Sequence, residues 1–476
     1  MAAGASHVPL LSRPTHAASR TRAAGMALLA RLEARALGPV DAASLAAFRF
    51  LLGSLVVIAV IRHWVKGGIH DAFVVPTHFF AYDGLSFVRP LPGQGMYFVY
   101  GALAVAAASL AVGLRSRASA GLACLLFTYA HACDKTSYLN HYYLVSLLLA
   151  LATVLPLGTA LSLDRRLAGD RHAASVPSWM FWLVRFQIGL VYFYGGVGKL
   201  QADWLVDAMP LRIWLPANGD FPLLGPVLKW PETPWVMSWL GAAFDLSIAF
   251  LLPWRRARPF AYACVIAFHV VTARLFQIGM FPWVMIALTL VFFEPSWPRR
   301  FLPERWIGPA RDGDVDRCSD ARDQRPVRRW PLAFVVAWCA FHVLYPLRSH
   351  LFPGDVLWTE DGYRFSWRVM LIEKAGSADF TVIDRHTGAS RQVRARDYLT
   401  PFQVKMMSTQ PDMIRAFAWM IADDAERRGE ARPRVHADVL VSLNGRSPAR
   451  LVDPDVDLAA EPLRLGGTPW VLPSPR

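Results

Sequence analysis

The stretch VYFYGGVGKLQADW, residues 191–204, ends a long apolar run and places one lysine, Lys199, behind three glycines and ahead of Asp203 and Trp204. Two readings of that amine stand side by side. Apolar surroundings and nearby cations favour the neutral form of a lysine, which can then act as a general base. A lysine at a helix end can also lift its ammonium to the membrane interface and serve only as an anchor. A phosphate-loop reading of GVGKL fails, because Leu200 stands where Ser or Thr is needed and Phe193 where a glycine is needed.

Other chemistry-bearing residues surround this one. DKTSYLNHYY, residues 134–143, brings Asp134, Lys135, Asn140 and His141 to the same side of a membrane as Lys199, either to share a cavity or as a plain polar hairpin. RLFQIGMFPW, residues 274–283, supplies Phe276 and Met280, which suit a slot for a flat apolar ligand or an interfacial aromatic belt. Inside apolar runs stand Arg49, Arg185, Gln187, Asp245, His269 and Arg274. A charge at mid-bilayer costs roughly 2.5 to 3.5 kcal/mol on insertion scales, so each needs a partner or a polar cavity. An ion pair of Arg185 with Asp245 would hold the bundle together, beside a small-residue stripe of Gly189 and Gly196.

The elements that must position these residues are membrane helices. Of 476 residues, 54% are hydrophobic and 18% charged, too apolar for an ordinary soluble chain of this length. The net charge of +14 lies in short loops between apolar runs and on no single face, which argues against a nucleic-acid partner and for the positive-inside rule. Nine spans are expected, at about 43–61, 95–114, 118–133, 139–157, 178–199, 235–253, 259–276, 279–294 and 331–346. Arg115 and Arg117, Arg165, Arg166 and Arg171, Arg255, Arg256 and Arg258, and the run from Arg299 to Arg329 then face the cytoplasm with the N-terminus. The fold class is thus mainly α, with residues 1–42 as a basic cytoplasmic arm, 43–346 as the helical membrane domain and 347–476 as an extracytoplasmic α+β domain. In that last part, FTVIDR and HADVLVSLNG read as strands, about 400–428 as helix, and Thr387-Gly388 and Asn444-Gly445 as turns. Residues 303–329 read as a basic linker. The five cysteines include no C-x-x-C pair, so neither a zinc site nor a disulfide framework is indicated.

DKTSYLNHYYL, RFQIGLVYFYGGVGKLQADW, FDLSIAFLLPW, FHVVTARLFQIGMFPWVM and SWPRR, followed by WTEDGYRFSW at 358–367 and VSLNGRSPARLVDPDVDL at 441–458, carry a resemblance. Over about 45–460 the chain resembles the vitamin K-dependent gamma-glutamyl carboxylase family and its bacterial relatives, the HTTM membrane proteins. The resemblance implies a membrane enzyme that oxidises a reduced vitamin K, of menaquinol or phylloquinol type, with O2, and uses the base so formed to carboxylate peptide glutamate with CO2. It implies no metal. Its partners would be the lipid bilayer, the lipid-soluble quinone and a glutamate-containing secreted peptide or protein.

The second lysine of the family's G-V-K-K-L motif falls on Lys199, which the resemblance makes the general base, with Asn140 and His141 as further catalytic candidates. Arg185, Gln187, Asp245, His269, Phe276 and Met280 are expected to shape the quinone cavity, and Tyr363 and Trp367 to contact peptide. The chain departs from the family at Gly198, in place of the motif's first lysine, and at Gln201, in place of an aspartate. Gly158-Thr159 stands where animal members carry Asn-His. Two other readings are a quinol-oxidising relative without carboxylation and a non-enzymatic transporter or lipid-binding scaffold.

Overall fold

A computed structural model describes residues 26–27, 30–169, 174–222, 224–302, 330–464 and 466–475. The basic linker, most of the N-terminal arm, Arg171 and Cys318 lie outside them. Every apolar run forms a helix: α1 (Ala43–Val65), α2 (Gly95–Val112), α3 (Ser116–Ala132), α4 (Asn140–Val154), α5 (Trp179–Gly198), α6 (Thr233–Leu251), α7 (Arg258–Leu275), α8 (Phe281–Thr289) and α9 (Trp330–Leu344). Their ends follow local chemistry. Proline occupies the first turn of α6, α7 and α8, where its missing N–H costs nothing. Gly113, at φ +75°, ends α2.

Among the described residues five helices are long and apolar enough to cross a membrane: Ala43–Val65, Gly95–Val112, Trp179–Gly198, Thr233–Leu251 and Pro331–Leu351. The other four expected spans fall short of that measure for identifiable reasons. α3, α4 and α8 are shorter, and α7 carries Arg258, His269 and Arg274.

α5 is the axis of the bundle. Its glycines admit α6: a Cβ on Gly196 would lie 2.7 Å from Leu246 Cγ and 2.8 Å from the Leu246 nitrogen. Of the small-residue stripe, Gly196 is therefore a close helix contact, whereas a Cβ on Gly189 would stand at ordinary distance, 3.7 Å from Ala249 Cβ. The expected Arg185–Asp245 pair does not form. Arg185 donates from Nε to the Val291 carbonyl and from Nη2 to the Phe293 carbonyl, both at 2.8 Å, and so caps the carbonyl end that follows α8. Asp245 meets α5 about four turns away, roughly 20 Å along the axis. Arg49 is met in the same way, by the carbonyls of Ala111, Leu157, Ala160 and Leu161 at the ends of α2 and α4.

Strands β1 (Pro39–Asp41) and β2 (Ser175–Pro177) pair at the end of the bundle where α5 begins. Beyond the other end lies an outer unit. Strands β3 (Lys374–Ile383), β4 (Ser390–Val393), β5 (Arg434–Leu443) and β6 (Ala449–Arg450) form an antiparallel sheet in the order β4-β3-β5-β6. Val435, Ala437, Val439, Val441 and Leu443 alternate inward along β5, as period-two burial requires. Helix α10 (Pro401–Met407) starts with a Thr400–Gln403 capping box, and α11 (Pro411–Arg427) buries Met413, Ile414, Phe417, Ala418 and Ile421 at helical spacing.

The outer unit shares a core with the bundle: Phe80, Trp204, Leu211 and Leu275 pack in one cluster with Leu371, Phe380, Phe417 and Val441. Charges fix the orientation. Arg446 donates to both oxygens of Asp203, at 2.7 and 2.8 Å, and Asn444 Nδ2 adds a bond of 2.8 Å. Lys135 and Arg364 reach Asp412 at 2.7 and 2.9 Å, and Gln403 donates to Asp134 at 2.9 Å. The hydrogen bonds from Arg446 hold the Asp203 carboxyl below its ordinary value, against the opposing effect of burial. Burial alone would raise Asp412, yet Arg364 and Lys135 hold it well below the carboxylate range.

Both carboxylates titrate lower in the folded chain than in the unfolded one, where the value is about 3.9. Their contribution to docking is therefore complete above about pH 4 and is lost as pH falls through the depressed folded values. A fluorescent pair spanning the outer unit and the bundle should show constant distance from about pH 7 to 4.5 and separation in stronger acid. Asp203→Asn should weaken docking at neutral pH and flatten that acid response.

Candidate active site at the end of helix α5

α5 stops at Gly198 because the chain turns there, with the Lys199 N–H donating to the Gly196 carbonyl at 2.9 Å. The Lys199 side chain folds back into the bundle and is 5% exposed. Its Nζ donates to Asp245 Oδ2 at 2.7 Å and to the Gly195 carbonyl at 3.2 Å, and lies 5.0 Å from the centroid of the Trp204 ring. The anchoring reading is thereby overturned: the ammonium points away from water. Gly195 packs against the carboxylate, and a Cβ there would stand at ordinary contact distance, 3.4 Å from Asp245 Oδ2.

Lys199 and Asp245 line a narrow slot of about 80 Å³. Its walls are apolar and aromatic: Val191 and Tyr192 of α5, Met237 and Gly241 of α6, Phe268 and His269 of α7, then Phe276, Ile278 and Phe281, with Val369 and Met370 from the outer unit. A larger cleft of about 880 Å³ shares Phe276, Ile278, Phe281, Val369 and Met370 with the slot. Its lining holds Arg62, Lys66, Lys135, Arg364, Arg368, Lys374 and Lys405 against the single acid Glu360. Lys135 and Arg364 are committed to Asp412, and Lys374 to Glu360.

The segment that leads into Val369 and Met370 of this wall is strained. Glu360, Phe365, Trp367 and Met370, none of them glycine, have φ of +57°, +62°, +57° and +57°. Tyr138 accepts from the Phe365 N–H at 2.7 Å, and Asn140 donates to the Arg368 carbonyl at 3.0 Å, so the DKTSYLNHYY segment holds this wall in place.

Comparison with known families bears on the same elements. Residues 37–297 match the HTTM domain, and residues 327–476 match the lumenal domain of vitamin K-dependent gamma-carboxylase. The chain belongs to the HTTM and vitamin K-dependent gamma-carboxylase family. No solved structure matches it.

In this carboxylase-family chain, the structure gathers Lys199, His269 and Phe276 into the slot, and Asn140, His141, Phe276 and Tyr363 onto the cleft. Four expected residues stand elsewhere. Arg185 caps carbonyls, and Gln187 accepts from Trp338 Nε1 at 2.9 Å, tying α5 to α9. Both lie too far back along α5 to reach the slot. Met280 lines a small apolar pocket with His141, Leu52 and Val284. Trp367 is buried against Tyr143, with ring centroids 4.8 Å apart. Gly158 and Thr159 line a separate depression with Arg115, Ser116 and Asp164, which shares no residue with the slot, so the departure at those positions leaves the Lys199 site intact.

Sequence reasoning missed the Lys199–Asp245 pair, Tyr192 and the cations of the cleft other than Lys135. A signal for the last was present: Arg62 and Lys66 sit at the end of α1 where the positive-inside rule disfavours them.

Removing one partner from a buried ion pair costs about 3 to 5 kcal/mol. Asp245→Ala should therefore sharply reduce the monodisperse folded yield and the melting temperature in detergent. The double variant Lys199→Met with Asp245→Leu should recover most of both, because no charge is then left alone.

Proposed function

We propose that this chain is a membrane-embedded gamma-glutamyl carboxylase in which Lys199 is the general base toward a reduced vitamin K of menaquinol or phylloquinol type. The observation that carries the reading is the position of one buried amine in an apolar slot that shares a five-residue wall with a cationic cleft. Aromatic and aliphatic walls suit a flat naphthalene ring, and the amine suits its hydroxyl. When bound and oxidised by O2, the quinol supplies the strong base that removes a γ-proton from peptide glutamate, and CO2 adds to the carbanion.

The chain's own residues have defined tasks. In a low-dielectric pair the ionic and neutral forms lie closer in energy than in water. Asp245 Oδ2 takes the proton of Lys199 across 2.7 Å and leaves Nζ neutral, and Nζ then accepts a proton from a hydroxyl in the slot. The positive charge gained rests against the Gly195 carbonyl and the Trp204 face. Phe276, Ile278 and Phe281 exclude water between the cavities. Arg62, Lys66, Arg368 and Lys405 supply the field that draws a glutamate side chain of a secreted peptide into the cleft, beside Tyr363, Asn140 and His141.

The same reading sets the topology. α1 to α9 are nine spans, the short α4 and α8 being enclosed by neighbours, with the N-terminus cytoplasmic and residues 347–476 extracytoplasmic. Arg115, Arg117, Arg255 and Arg256 on the far side from the outer unit support it.

The test uses the full chain in lipid nanodiscs with menaquinol, O2, labelled CO2 and a glutamate peptide. Lys199→Arg, which keeps a cation beside Asp245, and the charge-free double variant Lys199→Met with Asp245→Leu should stay folded and bind quinone, yet lose at least about 100-fold in quinol oxidation, because neither side chain can become a neutral base. Near-normal oxidation by Lys199→Arg would falsify the assignment. Oxidation without label uptake would instead identify a quinol oxidase, and neither reaction a binding scaffold.

A further inference from the structure

In an apolar slot, a ring with oxygens at both ends needs a polar partner for each, since a buried unpaired oxygen forfeits its hydrogen bond. Lys199 serves one. The slot's other polar side chains are Tyr192, Trp204, Asp245, His269 and Thr272. Asp245 is held by Lys199, Trp204 Nε1 donates to the Ser238 carbonyl at 2.9 Å, and Thr272 donates to the His269 carbonyl at 3.1 Å. Tyr192 and His269 bond each other, phenol oxygen to Nε2, at 3.0 Å. One atom of the set is left over. His269 is 1% exposed, and its Nδ1 is buried without a protein partner.

The neighbours decide what Nδ1 offers. The Tyr192 hydroxyl can send its proton to His269 Nε2 at 3.0 Å or to Thr289 Oγ1 at 3.5 Å, and the second is too long for a good O–H···O bond. With Tyr192 donating to Nε2, the neutral imidazole carries its proton on Nδ1. We infer that His269, oriented by Tyr192, donates a hydrogen bond from Nδ1 to the ring oxygen opposite the one that Lys199 deprotonates. The inference rests on the quinol reading of the slot. It makes the two α5 residues complementary: Lys199 acts on one oxygen directly, and Tyr192 sets the donor for the other. Because Tyr192, His269 and Thr289 come from α5, α7 and α8, three packed helices fix that donor before any ligand arrives.

The test is anaerobic binding, read by quenching of tryptophan fluorescence in the full chain in nanodiscs. The probes are 4-methoxy-1-naphthol, whose ether oxygen can accept but not donate, and 1-naphthol, which lacks that oxygen. The wild-type chain should prefer the methoxy compound by about ten-fold. His269→Leu should abolish the preference, His269→Gln, which keeps an N–H donor, should retain part of it, and Tyr192→Phe should reduce it. A wild-type preference that survives unchanged in His269→Leu and Tyr192→Phe overturns the inference. Equal wild-type binding of the two probes also overturns it while leaving the slot reading standing, whereas binding of neither overturns both.

Discussion

The ion pair between Lys199 and Asp245 is the constraint around which the rest is arranged. Withdrawing two charges from water costs several kcal/mol for each ion, and their attraction restores that only with good geometry. Here the geometry comes from Gly196, which brings α6 close enough for the carboxylate to meet the amine at 2.7 Å. Arginines on other helices need no such arrangement, because Arg49 and Arg185 settle on helix-end carbonyls. Unlike those two arginines, the pair at the end of α5 opens onto an apolar slot, and such a concentrated cost is a frequent mark of chemistry.

Around that pair two solvents meet. The slot behaves as hydrocarbon and the cleft as salt solution, with Phe276, Ile278, Phe281, Val369 and Met370 between them. In the proposed reaction such a boundary lets an apolar reactant and an ionic one meet across one wall without sharing a medium. The left-handed residues along 360–370 lead into this boundary at Met370, and their segment is held by hydrogen bonds with Tyr138, Asn140 and Arg348.

Apolar runs, terminal prolines and inward alternation along β5 were legible in the sequence because each is local. The helical positions of α1 to α9 and the turn at Asn444-Gly445 needed no tertiary information. Pairing was a different matter. Arg185 and Asp245 are opposite charges in adjacent apolar runs, and sequence alone holds no measure of depth that would have matched Asp245 to Lys199 instead. The family resemblance located Lys199, His269 and Phe276, but it could not separate them from Gln187, which faces α9. Tyr192 carried no signal at all, since an aromatic at helical spacing in a span is ordinarily core.

The core shared by the bundle and the outer unit bears on biosynthesis. Trp204 and Leu211 are made early and packed only when Leu371, Phe380 and Val441 emerge, more than 150 residues later in the chain. Val369 and Met370, which close the slot, belong to that late portion. Chains are synthesised and inserted from the N-terminus onward. A nascent bundle thus carries its buried amine in an open half-site, and the enclosure around it is completed only as the last quarter of the polypeptide folds back onto the membrane face.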